Sequence, residues 1–347
     1  MLKLMKSRKR IKGKALKPSA AVRGSVIFTL LAATLAMIPA AFAEDKPVPP
    51  AVTAGKAVKL SGYTQILGTL QKAGQDSLTV RRSRFSLSAD LLKNFKAKFA
   101  IDVVRTPVLV DAMVDVIFAE YANLRFGQFM VPFGVESVTS TADLDTINRS
   151  QPVDKLAPGR DIGTLGRDVG VMMTGKVSVF DYSVGLFNGS GANKADTNDE
   201  KDFAGRVGVK PVDFLTVGAS LYKGKYNSVV GAALDRRDRT GIDAAVALGD
   251  VSLKGEYIWG VDGKTDRRGW FVQAGWFVLP KQLQILAKFD AYDKDVDRAD
   301  DGTNLYTAGL NWIFSDKTKI QLNYEYLRNE LSQTVNQALL VQFQAAF

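Results

Sequence analysis

The chain of 347 residues contains no histidine and no cysteine. Without them there is no Ser-His or Cys-His nucleophile pair, no Cys/His zinc site, no disulfide and no thiolate chemistry. Most familiar hydrolases and metalloenzymes are thereby disfavoured, and the chain reads as a non-enzyme needing neither cofactor nor metal. Long apolar runs are also missing: after residue 43 none reaches the ~18 residues of a transmembrane helix. Disorder is equally disfavoured, because 46% of residues are apolar and 19 Phe and 10 Tyr are available to bury.

The formal net charge of +10 suggests nucleic-acid binding until its location is examined. Nine basic and no acidic residues, from Lys3 to Arg23, precede an apolar run over Val26–Phe42, and Ala41-Phe42-Ala43 has the small-x-small pattern of a cleavage site. Residues 1–43 are therefore expected to be a cleaved signal peptide, with Pro39 shortening the apolar run below a membrane anchor. Residues 44–57 read as a Pro-rich periplasmic lead-in. Beyond residue 43 the chain holds 37 basic against 36 acidic side chains, and the nucleic-acid signature disappears.

Residues 58–347 alternate with period two. Ile320, Leu322, Tyr324 and Tyr326 alternate with Gln321, Asn323 and Glu325, and Phe95, Ala97, Phe99 and Ile101 alternate with Lys96, Lys98 and Asp102. Side chains of a strand point to opposite faces, so each segment has one apolar and one polar face. Sixteen such segments are expected: 58–73, 77–91, 94–105, 110–121, 123–131, 165–175, 177–187, 202–210, 213–226, 237–249, 250–260, 267–279, 281–293, 302–314, 317–329 and 335–347. Alternation alone fits a soluble sandwich or a membrane barrel. Connection length separates them: every second connection is a tight turn, at Lys93, Ala122, Lys176, Pro211, Leu279-Pro280 and Ser315-Asp316, and those between are longer. That sorting is the plan of an all-β, 16-stranded transmembrane antiparallel barrel in the outer membrane of a Gram-negative bacterium. Aromatic residues on the apolar faces near strand ends (Tyr257, Trp259, Trp270, Trp276, Tyr306, Trp312, Tyr324, Tyr326) suit an interfacial girdle.

A lumen of sixteen strands is too wide for side chains to fill, so selectivity must reside in whatever narrows it. One connection, residues 132–164, shows no obvious helical or strand period and falls at the third extracellular loop, where folding inward would make a constriction.

Gly127-Gln128-Phe129-Met130-Val131-Pro132-Phe133-Gly134-Val135-Glu136, Ile147-Asn148-Arg149-Ser150 and Pro158-Gly159-Arg160-Asp161-Ile162-Gly163 resemble the third-loop region of the phosphate-selective porin O and P family. Arg81-Arg82-Ser83-Arg84-Phe85 is similar to that family's arginine-rich second strand. The likeness covers residues 58–347, most specifically 77–165. It implies a homotrimer of 16-stranded barrels with an inward third loop and pore-lining arginines, conducting phosphate or other small anions. Phe347 at the end of an alternating strand resembles the terminal signature of outer-membrane proteins, which implies recognition by the outer-membrane assembly machinery. Membrane lipid and lipopolysaccharide are the other partners implied.

The residues carry a reading of their own. Phe85, Leu87 and Ala89 mark the lipid face of the second strand, so Arg82 and Arg84 point inward and Arg81 belongs to the other face near the rim. Guanidinium groups match oxyanions bidentately and keep their charge, and a series of them passes an anion from site to site. Lys96 and Lys98, on the inward face of the next strand, extend the series, and Arg206 is a further inward cation. Arg149 and Arg160 match family positions that face the constriction. Each has a simpler role open to it: pairing with acids such as Asp90 and Asp102, or, for Arg160, holding the loop. The face of the strand carrying Arg125, Gly127 and Phe129 is not assignable from its pattern.

Two features depart from the family. Asn148 stands before Arg149 where an acid is expected, and the fourth and seventh loops are acidic, the latter with Asp293, Asp295, Asp297, Asp300 and Asp301. A solvated rim is the simpler reading of those acids, with divalent cations the alternative. The function expected is a passive, anion-leaning porin, possibilities of phosphate or polyphosphate selectivity following from the resemblance; a general diffusion porin and a non-conducting anchor or adhesin stay open.

Overall fold

The computed structural model describes residues 58–227, 234–315 and 317–347. The expected signal peptide and lead-in, residues 1–57, lie outside the described residues. The described residues form sixteen strands: β1 (Val58–Gln71), β2 (Ser77–Leu92), β3 (Phe95–Asp102), β4 (Leu109–Ala119), β5 (Ala122–Met130), β6 (Arg167–Val177), β7 (Phe180–Phe187), β8 (Asp202–Val212), β9 (Leu215–Asn227), β10 (Leu234–Leu248), β11 (Val251–Asp262), β12 (Thr265–Leu279), β13 (Leu283–Asp293), β14 (Thr303–Ser315), β15 (Thr318–Asn329) and β16 (Val335–Ala346). Each pairs antiparallel with its sequence neighbours, and β1 closes on β16 from Tyr63↔Ala346 to Gln71↔Ala338. An even number of antiparallel strands closes without an unpaired edge.

Burial is inverted relative to a soluble protein. Gln65, Gln273, Asn311, Gln321, Asn323 and Gln344 are buried, while Leu78, Ile242, Trp276 and Trp312 on the opposite faces are exposed. Only a solvent that is apolar outside and polar inside makes that arrangement favourable, at roughly 25 cal/mol per Å² of apolar surface. The aromatics form two bands. Toward the loop end, Trp270, Phe289, Tyr306 and Tyr326 run across β12–β15 with successive ring centroids 5.1, 4.8 and 6.1 Å apart. Toward the turn end, Trp312 stacks with Phe314.

At one end of the barrel the connections are two or three residues long, at 93–94, 120–121, 178–179, 213–214, 249–250, 280–282 and 316–317. Three expected turns shift by one to three positions, because β5 already begins at Ala122 while β6 and β8 run past Lys176 and Pro211. At the other end the connections include 72–76, 103–108, 131–166, 188–201, 294–302 and 330–334. The connection between β11 and β12 breaks the expected sorting: it is the two-residue turn Gly263-Lys264, because both strands extend beyond their alternating segments, with Asp262 paired to Thr265. Gly263 has φ 61°, which a tight hairpin requires.

The third connection, L3, spans residues 131–166 and has more structure than its aperiodic sequence suggests. It contains α1 (Val135–Val138), a 3₁₀ turn at Thr141–Asp143 and α2 (Gln151–Leu156). Helices of one or two turns are too short to imprint a period. L3 occupies the lumen: Phe133, Val153 and Leu156 are fully buried with Phe129, Phe187, Tyr222, Ile258 and Phe271 from the inner wall. Burying each such side chain contributes about 1.5–3 kcal/mol, which offsets the entropy of ordering a long connection.

Candidate functional site: an arginine neck in the lumen

L3 is fastened to the wall formed by β9–β15. Glu256 Oε2 accepts from the backbone N–H of Val135 and Glu136 at 3.1 and 3.2 Å, capping the start of α1. Gly134 just before it has φ 62°, and a Cβ there would lie 1.9 Å from Glu256 Oε1, so only glycine permits this latch. Lys254 and Gln273 donate to Asp145, Asn323 accepts from Ile147 N, Lys288 donates to Asn148 O, and Gln151 donates to Asp290, all at 2.7–3.0 Å. Inside L3, Glu136 is fully buried and accepts from Ser150 N and Oγ at 2.9 and 2.7 Å. Burial alone would raise its pKa, but Lys288, Lys254 and Arg149 more than compensate and hold the carboxyl below the ordinary glutamate range.

On the opposite side of the lumen, β2 faces the loop. The β1–β2 register slips from Gln65↔Arg82 to Ile66↔Val80, so Arg81 is the extra residue of a β-bulge. This corrects the expectation that Arg81 belongs to the outer face. The bulge turns it inward beside Arg82, where its guanidinium donates to Ile147 O at 3.0 Å and Asn148 Oδ1 at 2.6 Å. Asn148 in turn donates to Glu325 at 2.8 Å. The amide thus bridges an arginine of β2 and a carboxylate of β15, which an acid at this position would not do. The sequence held a signal for the bulge: Leu78 and Val80 share the lipid face with Phe85 and Leu87 although their numbers differ in parity.

The result is a cavity of ≈ 180 Å³ whose lining includes seven arginines, Arg81, Arg82, Arg84, Arg105, Arg149, Arg160 and Arg167, with Asp154 as the single acid. Four of them, Arg82, Arg84, Arg149 and Arg160, are residues the sequence singled out. Arg82 donates to Gln65 at 2.8 Å and Arg84 to Asp102 at 3.3 Å. The Nε–H groups of Arg82, Arg84 and Arg105 are buried without an acceptor. Arg149 is held by Glu136 O, Thr139 O and Thr141 Oγ1, and Arg160 by Ser137 Oγ and O at 2.9 and 2.6 Å. Burial lowers the pKa of both loop arginines; for Arg160 repulsion from Arg149 comes next, whereas for Arg149 the attraction of Glu136 and Asp154 offsets part of the burial. Sequence reasoning missed Arg105, which the expected segment 94–105 put on a strand but which lies in the 103–108 connection because β3 ends at Asp102, and Arg167, which donates to Asp111 at 2.9 Å where L3 rejoins the barrel.

The other candidates lie elsewhere. Lys98 and Arg206 line a second cavity of ≈ 430 Å³ on the turn side of the neck. Lys98 pairs with Asp111 at 3.2 Å, and Arg206 makes a two-point contact with Asp243. Arg125 and Phe129 line it too, which settles the inward face of β5. Lys96 stands nearer the turns, half-exposed and 3.9 Å from Asp90. The arginine ladder therefore does not continue as free cations below the neck.

The chain is similar in fold to in-vitro folded OmpT, an outer membrane protein of Vibrio cholerae (TM-score 0.61, 12% identity, covering 85% of this chain and 99% of that one). A trimer form of the same protein gives TM-score 0.60 at 14% identity over 85% and 100% of the two chains. A mutant of the Rh. blastica porin gives 0.53 at 12% identity over 83% and 100%. A search of the curated proteins finds no match. The model of the phosphate-selective porin O and P family matches residues 61–237 and 222–347, nearly the whole barrel including both faces of the neck. The chain belongs to this family and is a porin of the Gram-negative outer membrane.

Proposed function

We propose that the barrel conducts small hydrophilic solutes passively and favours anions, with phosphate or polyphosphate held transiently at the neck between β2 and L3. The observation that carries this reading is the excess of arginine over acid: seven guanidinium groups and one carboxylate line a space of ≈ 180 Å³, and three buried Nε–H groups lack acceptors. A tetrahedral oxyanion presents several acceptors to such donors at once. At an effective dielectric near 20, one unit charge about 4 Å from another interacts by roughly 4 kcal/mol, so the neck repels a cation strongly.

A homotrimer fits the exterior. All four tryptophans, Trp259, Trp270, Trp276 and Trp312, sit on β11, β12 and β14, which leaves the β1–β9 side without this lipid anchor and suited to contact other subunits. A weakly selective general porin is the second reading, favoured by the charge pairing below the neck.

Single-channel recording in planar bilayers tests the proposal. Stepwise conductance with chloride favoured over potassium, block by millimolar phosphate, and relief of that block in the Arg82→Ala/Arg84→Ala double variant are expected. Cation preference without phosphate block would leave the general porin, and folded protein without conductance would leave an anchor.

A further inference from the structure

The acidic seventh loop, L7 (residues 294–302), contains one carboxylate whose surroundings differ from the rest. Asp293, at its start, accepts from Arg268 at 3.1 Å and from Asp295 N at 3.3 Å, and Asp295 accepts from Asp297 N. These side chains are engaged or open to water. Asp301 is neither: it is 3% exposed, and both of its carboxylate oxygens are buried without a hydrogen-bond donor. Lys294 and Arg298 share the loop and are near enough to attract it, and Arg298 and Arg268 line the same cavity, but among the described residues none of these cations forms an ion pair or hydrogen bond with it.

A buried, unpaired carboxylate costs several kcal/mol and persists only if it is neutralised. Asp301 shares a cavity of ≈ 510 Å³ with Asp293, Asp300, Asn304 and Glu330. Glu330 uses Oε1 to accept from Asn304 at 3.0 Å, and its Oε2 lies against Gly302, which has no side chain to displace it. The second carboxylate is therefore brought to the backbone next to Asp301.

We propose that Asp301 and Glu330 bind a hard divalent cation of the calcium class at the outer rim, between L7 and the 330–334 connection. Oxygen donors without histidine or cysteine select calcium or magnesium over zinc, and the irregular backbone suits the flexible coordination of calcium. Among the described residues no three acidic side chains stand together as a ready-made metal set, so carbonyls and water complete the site. Its dissociation constant should then fall near the ~10⁻⁴–10⁻³ M of extracellular calcium modules.

Terbium luminescence sensitised by tryptophan and tyrosine reads this directly, because Tyr257, Trp270 and Tyr292 line the same cavity. Folded, EDTA-washed protein in detergent is expected to bind terbium and release it to calcium at about 10⁻⁴–10⁻³ M. Asp301→Asn is expected to weaken calcium competition at least about tenfold, with Glu330→Gln in the same direction. Asp297→Asn, an exposed acid of the same loop that does not line the cavity, should titrate like the wild type. Unchanged single-channel conductance certifies that the variants fold, and Glu330→Gln carries the test if Asp301→Asn does not. The proposal is overturned if calcium displaces no terbium, as a protonated Asp301 would give, or if both variants at the cavity titrate like the wild type.

Discussion

Two cavities of one lumen, the neck and the chamber on its turn side, hold the same kinds of cation and treat them differently. In the neck seven arginines share three carboxylates: Asp102 reaches Arg84 and Arg105, Asp154 reaches Arg160 and Asp111 reaches Arg167. In the chamber each cation has its own acid: Lys98 with Asp111 at 3.2 Å, Arg125 with Asp115 at 2.6 Å, and Arg206 with Asp243. The remaining chamber lining is largely apolar, with Met113, Phe129, Met130, Pro132, Val138 and Met172. Asp111 marks the border, giving one oxygen to Arg167 of the neck and the other to Lys98 of the chamber. A count of lumen cations therefore overstates the field a solute meets. What steers an anion is charge left unpaired in a narrow space, where water screens it least.

The sharpest contrast should come from removing cations on either side of that border. Loss of Arg82 and Arg84 is expected to weaken phosphate block by roughly 100-fold or more, two charge-assisted hydrogen bonds at the low end of about 1.5 kcal/mol each making about 3 kcal/mol. Loss of Lys98 or Arg206 should change it by less than about twofold, because each is paired with an acid, whereas among the described residues Arg82 has no acid within ion-pair distance and Arg84 shares Asp102 with Arg105. Equal effects on both sides would erase the distinction. Next in size, Gly134→Ala drives a side chain into Glu256 and should release L3 from the wall. The expected result is a larger, noisier conductance and new protease sensitivity within residues 131–166; an unaltered channel would mean that the apolar cluster alone holds the loop.

A smaller effect, of opposite sign, tests the pairing argument. Asp243→Asn unpairs Arg206 and should turn the chamber into a second anion station, raising the chloride-to-potassium permeability ratio by about twofold. The smallest effect concerns pH. Glu136 has a folded pKa below its unfolded value of about 4.3, so its stabilisation of L3 is complete above that value and is lost as pH falls through the lower folded one. Conductance noise should stay flat from pH 8 to about 5 and rise only below about 4. An onset near neutrality would assign the pH-sensitive hold on L3 to another group, Glu256 at the start of α1 first among them.

The barrel was largely legible in the chain because strand geometry is local. Alternation at Ile320–Tyr326 or Phe95–Asp102 needs no partner to be recognised, and the sixteen segments lie within a few residues of the strands. The site was legible in part. Arg82 and Arg84 could be placed inward from their neighbours, and Arg149 and Arg160 came from the family likeness; the cavity brings these four together. Lys98, Lys96 and Arg206 face the lumen as well, yet their pairing partners Asp111 and Asp243 lie on other strands or farther along the chain. Arg105 and Arg167 lie at the ends of the expected segments 94–105 and 165–175, but β3 stops at Asp102 and β6 begins only at Arg167, so the period does not place either side chain.

By itself the sequence determined which face of most strands meets lipid, β5 and the Arg81 end of β2 excepted, since that choice depends only on the period of two and on the solvent outside. The structure decided the site. A one-residue bulge aims Arg81 at Asn148, and contacts as distant in sequence as Arg81 with Gln342 or Lys319 with Leu144 bring β2, L3 and the far wall together. Height in the lumen, pairing and unpaired charge are properties of register and closure. They arise from separate segments meeting across the barrel, which no local period records.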